Sequence, residues 1–343
     1  MRRFAVIAVV PMFVASLAGA AAPQRVFVST AGTDANAASN CSLAAPCRSF
    51  DIAIGVVGAN GEVVALDSGG YGRFTVDKSI TVAASPGVYA AISVFGGTNG
   101  VDINTPLVVV TLRGLTINGQ GGDHGIYFLT GASLLVENCF ISSMGDAGIR
   151  VLAAGSSNTF PSQTSIVGTT ITRNGTGIHV SGGPASVTVS RSNVISNGIG
   201  VDAHGIVSGV DNTVEIADSV VSNNTDNGVL AFADVSGATI DMVVSGSALS
   251  TNGSNGIYGS AVGGGTLLVT ATANRIVRNF NGVSANGPGT VKLVLGQNTI
   301  SRQRQAGVIV SPGVTVLSRG DNTINDNVSS DVSGGPMGSI NGL

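Results

Sequence analysis

The chain has 343 residues, 50 of them glycine and none tryptophan, and 16 Lys and Arg against 19 Asp and Glu give a net charge of -3. No stretch gathers the basic residues that a phosphate backbone requires, so nucleic acid is excluded as a partner. Mean hydropathy is positive, yet after the first 22 residues no apolar run approaches the roughly 20 that a bilayer span needs, so the chain reads as glycine-rich with an apolar interior and no membrane span.

The first elements describe an exported protein. Arg2 and Arg3, an apolar run from Phe4 to Leu17 and small residues from Ala18 to Ala22 form the three-part pattern of a signal peptide over residues 1–22, with cleavage near Ala20. Residues 23–60 then supply an N-terminal strand, a loop and a cap. Cys41 and Cys47 enclose SLAAP, and in an oxidising compartment this spacing reads as a local disulfide, the alternative being two free thiols. PCRSFDIAIGVVG suits a short amphipathic helix that covers the apolar end of a stacked repeat. Cys139 stands beside Phe140 and Ile141 in an apolar stretch and reads as a buried thiol acting as a small hydrophobe.

From residue 61 to 327 the chain repeats. LRGLTING, VENCFISS, VGTTITRN, SRSNVISN, IADSVVSN, SGSALSTN, TANRIVRN, GQNTISRQ and GDNTINDN align on Ile117, Ile141, Ile171, Ile195, Val221, Leu249, Val277, Ile300 and Ile324. A period of this size is the mark of a solenoid, whose repeats bury their apolar faces on one another. Val, Ile and Thr in short alternating runs favour strands, while Asn-Gly, Gly-Gly and Ser-Asn pairs mark corners. Glycine and β-branched residues this dense exclude helical repeats, and the Leu-x-x-Leu-x-Leu spacing of leucine-rich repeats is absent. The expected fold is all-β: a parallel β-helix with three strands per turn, turns stacked about 4.8 Å apart into a rod roughly 50 Å long. Asn174, Asn224, Asn252 and Asn327 fall in one corner column, where a short amide tolerates left-handed geometry and bonds its stacked neighbour. Residues 328–343 read as a loose tail.

With this cap, this cysteine loop, GEVVALDSGGYG and the Asn-rich repeats, the chain resembles the right-handed parallel β-helix proteins of the pectin-lyase-like superfamily. From VFVSTAGTDANAASNCSLAAPCRSF through the repeats, residues 25 to about 327, it is similar to a group of secreted bacterial β-helix proteins. The resemblance implies a right-handed coil. It leaves chemistry open, because the superfamily holds lyases, hydrolases, epimerases, phage tailspikes and proteins without assigned activity.

Between aligned repeats lies the phrase Gly-aliphatic-x-aliphatic, as in GIHV. Strand alternation turns the aliphatic residues inward and x outward. Down the stack x is Tyr127, Arg150, His179, Asp202, Leu230, Tyr258, Ser284 and Ile309, and His204 is the next outward residue beside Asp202. The resemblance implies that such an outer column can carry catalysis. Arg150 could neutralise a uronate carboxylate while His179 or Tyr127 removes the C5 proton, which makes Arg150, His179, Asp202 and His204 catalytic candidates, with Tyr127 and Tyr258 added for substrate binding. The competing reading is a solvated wall.

Family motifs fit only in fragments. Asp123-His124-Gly125 is similar to the Gly-His-Gly element of polygalacturonases, whose Asn-Thr-Asp and paired Asp are missing, so inverting hydrolysis lacks its two carboxylates. Asp202-Ala203-His204-Gly205 is similar to the Asp-Pro-His-Asp element of alginate epimerases, with Ala and Gly in place of Pro and the second Asp. Ca²⁺ would need several convergent oxygens, and Asp202 has no evident carboxylate neighbours on adjoining turns, so no metal or cofactor is expected. The sequence thus points to a secreted monomer that binds an extracellular polysaccharide or cell-surface glycan. A lyase or epimerase of uronic-acid polymers is the second reading, and a structural or adhesin-like surface protein the third.

Overall fold

A computed structural model describes residues 22–340, so the signal peptide expected over residues 1–22 falls, but for Ala22, outside the described residues, as do the last three residues. The chain coils into three parallel sheets of 13, 11 and 11 strands, and within the coil each strand pairs with the strand three elements away in sequence. Ala185–Ser190 shows why such segments become strands: Val187 and Val189 turn into the core while Ser186 and Thr188 face out. No helix among the described residues is long and apolar enough to cross a membrane.

The N-terminal end is covered as the sequence suggests. Arg25–Val28 forms the first strand of the 13-stranded sheet, Cys41 and Cys47 are joined in a disulfide, and Phe50–Val56 is a helix capped by the Ser49 hydroxyl, which accepts from the Ile52 N–H. Phe50 from this helix packs on Tyr71 and Phe74 of the first turn, sealing the apolar end. Asp67 ties the first strand to that turn, accepting from Ser29 Oγ at 2.8 Å, Thr30 N and Oγ1 at 2.9 Å, and the Tyr71 hydroxyl. Burial pushes its carboxyl up, but these four donors outweigh it and hold the pKa down at about 2. At the other end the stretch expected as a loose tail is paired instead. Ser330–Gly334 bonds to Ala306–Val310, and Gly338–Ser339 to Thr315–Ser318, because exposed edges of the last full turn offer both with backbone partners.

Two members of the repeat alignment shift by one residue. Val194 and Ile276, not Ile195 and Val277, pair with Ile171, Val221, Leu249 and Ile300, and both are fully buried. Each pair places two aliphatic residues side by side, so composition alone does not fix which one faces inward; a one-residue slip exchanges the faces.

The corners are organised by two polar ladders. In one, the backbone N–H of Asn174, Asn197, Asn224, Asn252, Asn279 and Gln303 each donates to the side-chain oxygen of its successor one turn on, ending at Asn327. The left-handed residues are not these amides but those just before them, among them Arg173, Ser196, Asn223, Thr251, Arg278 and Arg302. That geometry turns the following N–H away from any strand partner, and the stacked amide satisfies it. The second ladder runs through Cys139, Thr169, Ser192, Ser219, Ser247, Asn274, Asn298 and Asn322 by the same device. Cys139 is therefore the first member of a corner ladder rather than a strand residue, and burial raises its thiol to about 11, which keeps it inert.

Candidate functional site

The phrase Gly-aliphatic-x-aliphatic builds the second sheet. In His124–Thr130, Ala147–Val151, Thr176–Ser181 and Ile199–Gly205 the flanking apolar residues, such as Ile149 and Val151 or Ile178 and Val180, are fully buried. Register then pairs Tyr127 with Arg150, Arg150 with His179, and His179 with Asp202, while His204 pairs with Ser181. The expected column exists. Asp102 precedes Tyr127 in it, and Leu230 separates Asp202 from Tyr258, whose hydroxyl donates to Asn286 Oδ1 at 2.9 Å. Tyr258 stands apart from the charged group.

Side chains of the four middle turns lean on one another. The Arg150 guanidinium lies against the His179 ring, with Nη1 2.9 Å from Nε2, and Nη2 donates to Ser181 Oγ at 3.0 Å. His179 Nε2 is 3.5 Å from Asp202 Oδ2. The His204 ring lies nearly parallel to His179, 17° apart with centroids 6.4 Å distant, and meets the Phe232 ring edge-on at 5.0 Å. Asp202 is only 6% exposed, and its Oδ1 has no hydrogen-bond partner; nor has His204 Nε2. A solvated wall would leave these groups in water. Burial here raises the Asp202 carboxyl to about 7, with Arg150 opposing, and lowers His179 to about 4, with Arg150 adding to the effect. Burial also lowers His204, against Asp234, and draws Arg150 below the ordinary guanidinium range, against Asp146 and Asp202.

Three more residues join the site. His124 bridges Asn99 Oδ1, 2.8 Å from Nδ1, and Asp146 Oδ2, 3.0 Å from Nε2, with its ring 5.0 Å from that of Tyr127. Burial lowers its pKa, and Asp146 opposes the shift. Asp234 Oδ2 lies 3.9 Å from His204 Nε2. Each of the three histidines thus lies beside an aspartate from the following turn, although at 3.9 Å Asp234 is beyond hydrogen-bond reach of His204 Nε2. Strict alternation counted back from Tyr127 reaches Gly125, not His124, and Asp146 and Asp234 lie just outside their strands, so a column drawn by alternation does not include them. A usable signal is Asp146 directly before Ala147, the residue that pairs with His124.

The turn that carries Asn158 lies between Ala147–Val151 and Ser162–Val167. It runs along the corner between this sheet and the 13-stranded one, where Asn158 donates to Gly209 O at 2.8 Å and accepts from Asp211 N at 3.1 Å. A cavity of about 470 Å³ at that corner is lined by Leu107, Thr130, Ser156 and Phe160. Among the described residues no carboxylate cluster surrounds Asp202; the ligand atoms that lie near its own belong to the imidazoles of His179 and His204.

Among known proteins, a family model described as a right-handed β-helix region matches residues 76–242. The fold is similar to that of pectate lyase Pel9A at 16% identity and a TM-score of 0.57, covering 92% of this chain and 80% of that one. It is also similar to the A-module of the mannuronan C-5 epimerase AlgE4 of Azotobacter vinelandii, at 12% identity and a TM-score of 0.51, covering 82% and 91%. No curated protein sequence matches the chain.

Proposed function

We propose that the chain, whose right-handed β-helix fold is similar to that of a pectate lyase and of a mannuronan epimerase module, binds an acidic polysaccharide along the sheet that carries Arg150, His179 and Asp202. The observation behind this reading is the state of Arg150. Among the described residues its guanidinium makes no ion pair, although it is held in place by His179 and Ser181. A planar fork positioned in this way fits the carboxylate that each sugar of a uronic-acid polymer presents. Tyr127 on the preceding turn offers an aromatic face beside it. The disulfide of Cys41 and Cys47 fits action outside the cytosol.

The shifted acid–base groups favour a second reading, in which the same site works as a lyase or epimerase. Asp202 near 7 is tuned for proton transfer around neutrality, and His179, lowered to about 4, is neutral there and able to accept a proton. In elimination, Arg150 would neutralise the uronate, His179 or Tyr127 would take the C5 proton, the C4–O bond would break as the C4–C5 double bond forms, and Asp202 in its protonated form would give its proton to the leaving oxygen. In epimerisation the proton would return to the opposite face. Incubation with alginate, pectate and hyaluronan, followed by ultraviolet absorbance of unsaturated products and by proton NMR of C5 configuration, tests this. Product that disappears in His179→Ala supports catalysis; silence in both assays leaves binding alone and rejects the second reading.

A further inference from the structure

We propose that His179, Asp202 and His204 form a site for a divalent first-row transition-metal ion, zinc being the ion this donor set fits best. The ligand atoms of the three lie within 4.8 Å of one another. Tetrahedral zinc with bonds near 2.0 Å holds its ligands roughly 3.3 Å apart, so small rotations of the rings bring the three onto one ion. Their backbone positions are fixed by the sheet, since His179 pairs with Asp202 and Ser181 with His204 across adjacent strands.

The unsatisfied atoms point the same way. Asp202 Oδ1 and His204 Nε2 are both buried without a hydrogen-bond partner, an arrangement that is destabilising unless something binds there. Two imidazoles with a single carboxylate suit zinc, cobalt or nickel and disfavour Ca²⁺ and Mg²⁺, which take mainly oxygen. Charge permits a dication, because Asp146, Asp202 and Asp234 surround the cluster against the one guanidinium of Arg150. Arg150 lies against His179 and is the group that must turn aside, and its bond to Ser181 Oγ marks a place for it. Three protein ligands leave a fourth position open. The metal site stands on these donors and does not depend on the polysaccharide reading.

Untagged protein stripped with a chelator and titrated with ZnCl₂ by calorimetry tests it without any glycan present. The expected result is saturation at one equivalent per chain, visible d–d bands when Co²⁺ replaces zinc, and affinity lower by at least about tenfold in Asp202→Asn and in His204→Gln. Arg150→Ala should keep the site or tighten it. Failure of the wild-type protein to saturate at one equivalent overturns the proposal, and so does undiminished binding in both ligand variants. Since the readout is the ion alone, either result leaves the polysaccharide test independent.

Discussion

Two stacked polar columns run along this rod under the same geometry and reach opposite states. In the corner ladder from Asn174 to Asn327, each inner amide accepts from the turn before and donates onward; Asn224 accepts from Asn197 N and Nδ2 and donates to Val194 O and Asn252 Oδ1. In the second sheet, Arg150, His179, Asp202 and His204 bring charge and imidazole into a half-buried surface and leave Asp202 Oδ1 and His204 Nε2 without partners. The ladder completes the hydrogen bonds of the fold. The column weakens the fold locally, and a stack that costs stability is where function is to be sought.

The contrast predicts a ranking of effects. Asn224→Leu should be the most damaging single change considered, because it orphans the buried Asn197 donors and the Val194 carbonyl; a loss of about 2 to 5 kcal/mol is expected by chemical denaturation. Asp202→Asn should act in the reverse direction. Its folded pKa, about 7, lies above the unfolded value, so the wild-type protein loses stability as pH rises from about 4 to 7 and stays at the lower level above that. The variant should lack this slope and be the more stable of the two at pH 8, by an amount on the order of a few kcal/mol. A variant no more stable than wild type at pH 8 would count against a desolvated carboxylate at this position.

Asp67 at the capped end sharpens the comparison from the other side. Its carboxyl is fully hydrogen-bonded and held near 2, below the unfolded value, so its contribution is present above about pH 4 and is lost as pH falls toward 2. Asp67→Asn should remove that acid-dependent part of the denaturation midpoint while leaving the loss between pH 4 and 7 in place. The smallest effect is expected from Tyr258→Phe, which breaks only the bond to Asn286 and lies two turns beyond Asp202; glycan affinity should stay within about twofold of wild type.

Much of this molecule is legible in its sequence because a solenoid writes its register as a period. Alternation around Ile149, Ile178 and Val201 places Arg150, His179 and Asp202 in one outward column, and sheet pairing agrees residue for residue. Legibility fails where alternation does. Adjacent aliphatics at Val194 and Ile195 hide the register by one step, and Ser330–Gly334 carries too little apolar character to read as a strand. His124, Asp146 and Asp234 come from strand ends and corners, so their approach to the column depends on backbone path and not on period. Burial of Asp202 is likewise a property of its neighbours, Leu230 and His179, and no local pattern announces it.

The central claim is that an unpaired Arg150, set among buried acid–base groups, recognises an acidic polymer. The most direct measurement is calorimetric titration of wild-type protein and Arg150→Ala with uronic-acid hexasaccharides and with neutral hexasaccharides of equal length. Saturable binding of the acidic set alone is expected, weakened by salt and reduced at least about tenfold in Arg150→Ala. Equal binding of neutral oligosaccharides, or an Arg150→Ala variant that binds as well as wild type, would contradict it.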